Sequence, residues 1–375
     1  MTKTEAYQDS LQFLGLTKKN GVGVGELYAL KPTNNGGNFV WSRALSAYRT
    51  NQEGLLELVA SGVPRVDYSN TCPELLIEKQ STNLYLKSTS LSHGAWNGTG
   101  TITVNDAISP TGALTASTFA DAIVYQGLTS LSGSFINSVW LKSASTATVR
   151  FFCGADEDYQ TIPTDWVLLS YKQTPPSTSE NCGFEIIGDA EVWIPQFESG
   201  TYATSRIETD SAAVTRPQDK AYNTTIAYGL KGTIFIRARI FSSTYTKVDT
   251  LFSLNDETLD DYITCSTNAS RSIFITTMGG AIDTNSYNYS LASNGIYSIA
   301  IGYDFTGVNN KVNIAINGVL KRANAAQVDN PPVALSRFDL GSLYETLPSV
   351  DNRIIGQMYF ADQLSDTDLT ALTVQ

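Results

Sequence analysis

Histidine is almost absent from this sequence: His93 is the only one in 375 residues. A zinc site needs several nitrogen or sulfur ligands, and none of the four cysteines forms a C-x-x-C pair. A Ser-His-Asp triad would have to use His93, which lies in a Gly- and Ser-rich stretch without a nucleophile-elbow motif. We therefore interpret His93 as a solvated loop residue and expect no metal site and no cofactor.

Cysteine is also scarce, and its spacing excludes a disulfide scaffold. The four residues are far apart in the chain: Cys72, Cys153, Cys182 and Cys265. At this length they are too few to replace a hydrophobic core. We expect four small buried hydrophobic side chains in a protein that folds in a reducing compartment.

Positive charge and long apolar runs are lacking as well. The chain has 25 Lys and Arg against 36 Asp and Glu, a net charge of -11, and this argues against a nucleic-acid partner. The first fifteen residues have no apolar segment typical of a signal peptide. The longest tempting run, Ala122–Leu141, contains several polar side chains that a bilayer would penalise. We expect synthesis in a cytoplasm and no membrane insertion.

What is present is alternation of apolar and polar residues with a period of two. Phe135–Lys142 and Val149–Cys153 show it, and each run is short and bounded by Gly, Pro, Ser or Asn. Many short strands with frequent turns predict an all-β protein built from sandwiches or jelly rolls. The alternation stops between Thr209 and Asn223, which we interpret as a domain boundary.

The N-terminal segment differs from the strands that follow. Tyr7, Leu11 and Leu14 lie at helical spacing, with Thr4 as a candidate N-cap and Gly15 as a stop. Such a short helix must dock on something, either its own protein or another one. We predict an attachment segment over 1–38, a first β-sandwich over 39–215 and a second over 216–375.

The C-terminal third has two strong local signals. Asn317-Gly318 follows an alternating run and predicts a tight hairpin turn. Ser365 and Asp368 have the spacing of an N-terminal helix cap, with Leu364 and Leu369 placed as a hydrophobic staple. We expect the most clearly predicted helix of the chain to begin after Ser365.

Several stretches resemble a module of tailed-phage fibre and head-decoration proteins. The stretches are Leu55–Tyr68, Leu75–Leu84, Val139–Lys142 and Gln196–Ser205, with Trp96 and Trp166 at matching places, so the resemblance covers roughly Leu27–Arg216. Ser81 stands where that module has an arginine, and no role of that arginine is carried over. Residues beyond Arg216 resemble a laminin-G or concanavalin-like jelly roll.

The resemblance implies a virion surface protein, a head or tail fibre, with carbohydrate-binding-type modules. It also implies a homo-oligomer whose N-terminal segment contacts other virion proteins. The implied ligand is a cell-surface glycan bound weakly and in many copies. Two alternatives stay open: a polysaccharide-degrading phage enzyme, and a capsid decoration without a ligand.

An enzyme of this fold would need a pair of carboxylates. Glu208-Thr209-Asp210 starts a suitable pattern, but Ala212 stands where the third acid should be and the segment lies near the expected boundary. The clusters Asp156–Asp158 and Asp256–Asp261 are expected in turns. We therefore predict a non-enzyme with no catalytic residue.

Sugar binding favours aromatic faces beside short polar side chains. The weak candidates that the sequence offers lie in the C-terminal jelly roll: Tyr262, Tyr287, Asn288 and Tyr289. Strand tyrosines that pack with their hydroxyl at the surface are the alternative for each of them.

Overall fold

The computed structural model describes residues 2–15, 22–23, 26–70, 72–92, 94–240, 249–267, 272–282, 289–290, 295–307, 310–322, 330–344 and 351–374. In these residues the protein is nearly all β, as predicted, with two short helices, α1 (Lys3–Asp9) and α2 (Asp366–Leu372). His93 lies outside the described residues.

The strands of the first part of the chain are β1 (Gln12–Gly15), β2 (Val22–Gly23), β3 (Glu26–Leu27), β4 (Phe39–Ser42), β5 (Ala47–Thr50), β6 (Leu56–Val59), β7 (Val66–Asp67), β8 (Glu74–Glu78), β9 (Ser81–Asn83), β10 (Asn97–Ile108), β11 (Leu114–Thr129), β12 (Phe135–Lys142), β13 (Thr148–Cys153), β14 (Asp156–Thr161), β15 (Val167–Gln173), β16 (Ser179–Ser199), β17 (Val214–Arg216) and β18 (Lys220–Asn223). Those that follow are β19 (Lys231–Ile240), β20 (Asp249–Asn255), β21 (Asp261–Thr267), β22 (Ser272–Gly279), β23 (Ala281–Ile282), β24 (Tyr289–Ser290), β25 (Gly295–Asp304), β26 (Lys311–Ile316), β27 (Val319–Arg322), β28 (Arg337–Leu340) and β29 (Asp351–Phe360).

The chain forms two compact units that are discontinuous in sequence. Unit 1 comprises Met1–Ser46, Val59–Lys79 and Gln218–Gln375, and unit 2 comprises Ala47–Leu58 and Gln80–Pro217. One change of unit, between Pro217 and Gln218, falls inside the boundary region expected from the sequence. The N-terminal residues differ from the predicted division: Met1–Ser46 belong to the same unit as Gln218–Gln375.

Unit 1 contains two antiparallel sheets. One has the order β27-β26-β25-β19-β29-β8-β7, with β1 also paired to β29, and the other has the order β2-β3-β4-β18-β28-β20-β21-β22-β23, with β24 paired to β22. Alternate residues of β19 separate its two faces. Ile234 and Ile236 belong to the main core, whereas Phe235 packs against Leu369 of α2. This period of two is what the sequence pattern predicts.

A buried ion-pair cluster joins three stretches of unit 1. Asp219 contacts the guanidinium groups of Arg43, at 3.2 Å, and of Arg65, and its Oδ2 also accepts from the backbone N–H of Glu78 at 2.9 Å. Arg65 pairs in addition with the carboxylate of Glu78 at 2.7 Å. All four side chains are buried. Buried charges persist only when they are paired, so this cluster requires its members to stay together.

The N-terminal segment is not a separate helical arm. Helix α1 is capped by Thr2, not Thr4, in a capping box with Glu5. The chain then becomes strand β1, whose register places Phe13 opposite Met358. The helical spacing of Tyr7, Leu11 and Leu14 is misleading because Leu14 is buried in a sheet. Residues 12–15 complete a sheet of unit 1.

The local signals of the C-terminal third are confirmed. Strands β26 and β27 form a hairpin whose turn residues, Asn317 and Gly318, both have positive φ, +48° and +75°. Ser365 caps α2, accepting a hydrogen bond from the N–H of Asp368 at 3.2 Å. Leu364 and Leu369 pack in one cluster, as the staple pattern predicts.

Unit 2 is organised by the long strand β16. Its N-terminal part pairs with β11 and β13, and its C-terminal part pairs with β12. The main sheet runs β10-β11-β16-β12-β15, β13 also pairs with β14, and two small pairs, β5-β6 and β9-β17, lie beside it. Phe119, Val139, Phe151 and Phe184 are fully buried in its core.

The expectation of four free cysteines is wrong for two of them. Cys153 and Cys182 are register partners on β13 and β16 and form a disulfide. Their separation of 29 residues in sequence concealed this pairing, which the sheet register brings about. Cys265 is a buried free thiol, as predicted, and Cys72 is half-buried.

Candidate functional site

Unit 2 contains a pocket of about 350 Å³. Such a volume lies at the lower end of the range for small-molecule sites, roughly 300–1,000 Å³. We call its buried residues the floor: Tyr48, Ser88, Leu91, Ser117, Val192, Trp193 and Ile194. We call the more exposed ones the rim: Thr89, Asn105, Thr111, Thr115 and Glu208.

Two aromatic rings form part of the floor. Tyr48 and Trp193 pack edge to face, with ring centroids 5.6 Å apart and an interplanar angle of 85°. Only 7% of Tyr48 and 4% of Trp193 is exposed, so they offer a small apolar surface at the bottom of the pocket and no open platform. This suits a ligand that inserts one ring edge or one C–H-rich face.

The floor is held by a strained bulge in β16. Ile194 has a φ of +36°, a conformation that β-branched residues rarely adopt, and the register with β12 shifts at this point. The buried guanidinium of Arg206 donates to the carbonyl of Ile194 at 3.3 Å and to the Ser138 hydroxyl at 3.0 Å. Strain of this kind persists only where the surroundings enforce it, and here it places Trp193 and Ile194 in the pocket.

Glu208 lies at the rim, and hydrogen bonds of its own carboxylate and of the next residue hold it there. Its Oε1 accepts a short hydrogen bond from the Tyr48 hydroxyl. The next residue, Thr209, donates its N–H to the Ser88 hydroxyl at 2.9 Å, and its own hydroxyl accepts from the N–H of Ser88 at 3.1 Å. These reciprocal bonds hold the Glu208 backbone without using its carboxylate. The Oε2 atom is left as an acceptor.

The rest of the rim consists of hydroxyl and amide groups. The hydroxyl oxygens of Thr111 and Thr115 each lie 2.8 Å from the hydroxyl oxygen of Ser109, which links these two rim side chains. Asn105 has a φ of +53° at an irregularity of the β10–β11 ladder. Such irregularities redirect side chains, and this one brings an amide to the rim.

The pocket keeps the Tyr48 phenol protonated. Burial raises its pKa, and the hydrogen bond to Glu208 and the negative charge of that carboxylate raise the pKa further. The phenol is therefore a hydrogen-bond donor at neutral pH. Its acceptor, the Glu208 carboxylate, is the only charged group among the described residues that line the pocket.

Of the tyrosines proposed from the sequence, Tyr262 and Tyr289 are described; both lie in unit 1, and neither lines the pocket of unit 2. Tyr262 is 8% exposed on β21 opposite Met278, and burial raises its pKa. Tyr289 is half-buried and packs against the core of unit 1, with the ammonium of Lys321 4.9 Å from its ring centroid. Tyr287 and Asn288 lie outside the described residues.

The acidic clusters divide between strand and turn. Asp156–Asp158 begin strand β14, contrary to the expected turn, and Glu157 pairs with Arg150 at 2.9 Å. Residues 256–260 connect β20 and β21, as expected, and the Asp256 carboxylate accepts from the Thr258 N–H, whereas Asp261 begins β21. The sequence indicates Glu208 only as the start of an incomplete acid pattern, and its role in the pocket is not visible there because its partner Tyr48 is 160 residues away.

Two absences concern the described part of the chain. It contains no group of three or more His, Cys, Asp or Glu side chains that could hold a metal ion. It also contains no helix that is long and apolar enough to span a membrane.

Comparison with known proteins gives weak structural similarity. No family model matches the chain, and no curated protein matches it. Among solved structures, CBM40 of the Ruminococcus gnavus IT-sialidase is 17% identical, with a TM-score of 0.30, over 38% of this chain and 82% of that one. Domain 4 of AbnA, a GH43 extracellular arabinanase from Geobacillus stearothermophilus, in complex with arabinotriose, is 15% identical, with a TM-score of 0.31, over 47% and 84%.

A third solved structure is the receptor binding domain of botulinum neurotoxin mosaic serotype C/D. It is 16% identical, with a TM-score of 0.32, over 40% of this chain and 38% of that one. At these TM-scores the similarities establish neither the family nor the function of this chain.

Proposed function

We propose that this chain is a virion surface protein that binds glycans without cleaving them, and that the pocket of unit 2 holds the sugar. The observation that carries the binding half is the combination of floor and rim. An apolar floor with two aromatic edges lies beneath hydroxyl, amide and carboxylate groups, which are the groups that recognise C–H faces and hydroxyls of a sugar.

Preorganisation supports the same proposal. The reciprocal bonds of Ser88 with Thr209 and the Arg206 contact to Ile194 fix rim and floor before a ligand arrives. A site that is already ordered loses less entropy on binding. A pocket of this size still gives a weak single site, with millimolar to micromolar dissociation constants, so adhesion would depend on many copies.

The enzyme alternative has one observation in its favour, the Tyr48–Glu208 pair. Some glycosidases use a tyrosine nucleophile, although most use two carboxyl groups roughly 5–10 Å apart. Here Glu208 is the single carboxylate among the described lining residues, and the pKa of Tyr48 is raised, which disfavours the phenolate. These features support binding without hydrolysis.

The virion location rests on the sequence resemblance to phage fibre and decoration proteins. Attachment through residues 1–38 would use their exposed surface, where Tyr7 and Leu11 are 40% and 43% exposed. Homo-oligomerisation and contacts with other virion proteins belong to the same proposal. Immunogold labelling of purified particles would test the location, and absence of label from virions would exclude it.

The test of the pocket is a pair of threonine-to-tryptophan variants. Thr89 is exposed at the rim, and Thr101 is exposed on β10 outside the pocket. The full-length chain, displayed on beads, is applied to an array that includes arabinotriose, sialyllactose, lactose and bacterial polysaccharides. We expect Thr89→Trp to lose binding by at least about tenfold through steric blocking, and Thr101→Trp to bind like the unmodified chain.

Three results would contradict the proposal. Equal binding by Thr89→Trp would place any glycan site elsewhere. No binding by the unmodified chain would favour a decoration protein without a ligand. Release of reducing ends from any bound polysaccharide, abolished by Tyr48→Phe, would favour the enzyme.

A further inference from the structure

The charge of the pocket narrows the class of glycan. Among the described lining residues there is no Lys, Arg or His, and the one acidic side chain is Glu208. Its Oε1 accepts from Tyr48, a neutral donor, so this contact does not cancel the negative charge. A ligand that enters the pocket therefore meets a carboxylate and no compensating cation.

Three Lys and Arg side chains lie within two residues of a lining residue in sequence, and each is engaged elsewhere: Arg49 pairs with Glu57, Arg206 donates to Ile194 and Ser138, and Lys87 pairs with Asp210. The Lys87 ammonium forms an ion pair with the carboxylate of Asp210, and the Lys87 N–H donates to the Asp210 carbonyl at 2.8 Å. With the Ser88–Thr209 bonds, these contacts tie the segment before the rim residue Thr89 to the segment after Glu208. These contacts hold the Lys87 ammonium at Asp210, while Glu208 stays at the rim.

A second feature is that Glu208 is exposed, so its carboxylate can accept a hydrogen bond from a ligand hydroxyl. A carboxylate makes strong, charge-assisted hydrogen bonds with sugar hydroxyls. The same carboxylate repels another carboxylate a few ångströms away, and such like-charge contacts are costly at interfaces.

We infer that the pocket selects uncharged, hydroxyl-rich glycans and discriminates against sugars that carry a carboxylate, such as sialic and uronic acids. This inference rests on the proposed glycan-binding function and names its ligand class. Discrimination by one close like-charge contact corresponds to roughly tenfold or more in the dissociation constant.

The experiment uses matched probes that differ by one acidic sugar. Lactose and sialyllactose are one pair, and neutral bacterial oligosaccharides with and without a uronic acid are others. Binding of the full-length chain is measured by ligand-observed NMR and by competition on beads. We expect each neutral probe that binds to do so at least roughly tenfold more tightly than its acidic counterpart at low salt.

Two variants separate charge from shape. Glu208→Gln keeps an oxygen that can accept from Tyr48 but removes the charge, so we expect acidic and neutral probes to approach parity while neutral binding persists. Asp165→Asn removes an exposed charge of unit 2 outside the pocket, and it should keep the discrimination of the unmodified chain. Added salt should reduce the discrimination, because it screens exposed charges.

The outcomes distinguish the two proposals. If acidic probes bind as well as neutral ones, or if Glu208→Gln leaves the ratio unchanged, the charge inference is overturned and glycan binding stands. If no probe of either kind binds the unmodified chain, the proposed function fails and the inference fails with it. Loss of neutral binding by a folded Glu208→Gln would also overturn the charge inference, because the carboxylate would then act as a required hydrogen-bond acceptor and not as a charge that selects between probes.

Discussion

Asp219 in unit 1 and Glu208 in unit 2 show two ways to use a carboxylate. Asp219 is completely buried and shared by two arginines and a backbone N–H. Glu208 is exposed and accepts from one neutral phenol. The first arrangement cancels its charge within the protein and contributes to structure. The second leaves a negative field at the mouth of a pocket, where a ligand can meet it.

The largest effect is expected from breaking the cluster of unit 1. Asp219→Ala leaves two buried guanidiniums without their shared partner, so unfolding free energy should fall by about 3–5 kcal/mol. Urea denaturation with hydrogen exchange of peptides from each unit measures this and assigns it to unit 1. Glu57→Gln, which removes an exposed partner of Arg49, should cost less than about 1 kcal/mol. Equal effects of the two changes would contradict the comparison.

A smaller effect is expected from Arg206→Met in unit 2. The change removes the donors to Ile194, Ser138 and Thr204 and leaves buried acceptors unsatisfied, at a cost of about 2–3 kcal/mol. Because Arg206 also holds the bulge under the pocket, glycan binding should weaken in the folded variant. Arg150→Met, which breaks surface ion pairs, is the matched control with an effect below about 1 kcal/mol. Unchanged glycan binding in Arg206→Met would show that the bulge does not shape the site.

The smallest effect expected per residue is a loss of stability at alkaline pH, and it should occur in both units. Burial raises the pKa of Tyr85 in unit 2 and of Tyr303 in unit 1. Because the pKa of each tyrosine is higher in the folded state than in the unfolded state, the free energy of unfolding is fully present below about pH 10 and falls as the pH rises above that value. The loss is about 1.4 kcal/mol per tyrosine for each pH unit. Urea midpoints between pH 9 and 11 test this, and Tyr85→Phe should flatten the dependence; an identical slope in the variant would contradict it.

Local sequence signals predicted local structure well. The Asn317-Gly318 turn and the Ser365 cap can be predicted from a few neighbouring residues, because the conformation of a turn or a cap depends on its own backbone and side chains. The alternation that indicated all-β structure is local for the same reason. The spacing of Tyr7, Leu11 and Leu14 predicted a short helix, and Tyr7 does lie in α1, but Leu14 lies in β1 because that part of the chain pairs with β29, which its local spacing does not indicate.

The site could not be predicted in the same way. Tyr48 and Glu208 meet because β5 and the segment after β16 pack in one unit, and nothing local to either residue indicates the other. The absence of alternation after Thr209 favoured a linker, although the segment is anchored through Ser88 and Thr209. The tyrosines of the C-terminal jelly roll were chosen by composition, which does not distinguish a buried ring from an exposed one.

The pairing of β1 with β29 has a consequence for biosynthesis. Gln12 is opposite Tyr359, so a sheet of unit 1 stays incomplete until Tyr359 has left the ribosome. Both stretches of unit 2 end before residue 218 and can fold earlier, while the first residues of unit 1 wait. Pairings between distant residues form slowly, and waiting strands expose unpaired edges. Ribosomes stalled once Pro217 has cleared the exit tunnel should therefore carry a protected unit 2, whereas unit 1 should gain protection only after β29 has emerged.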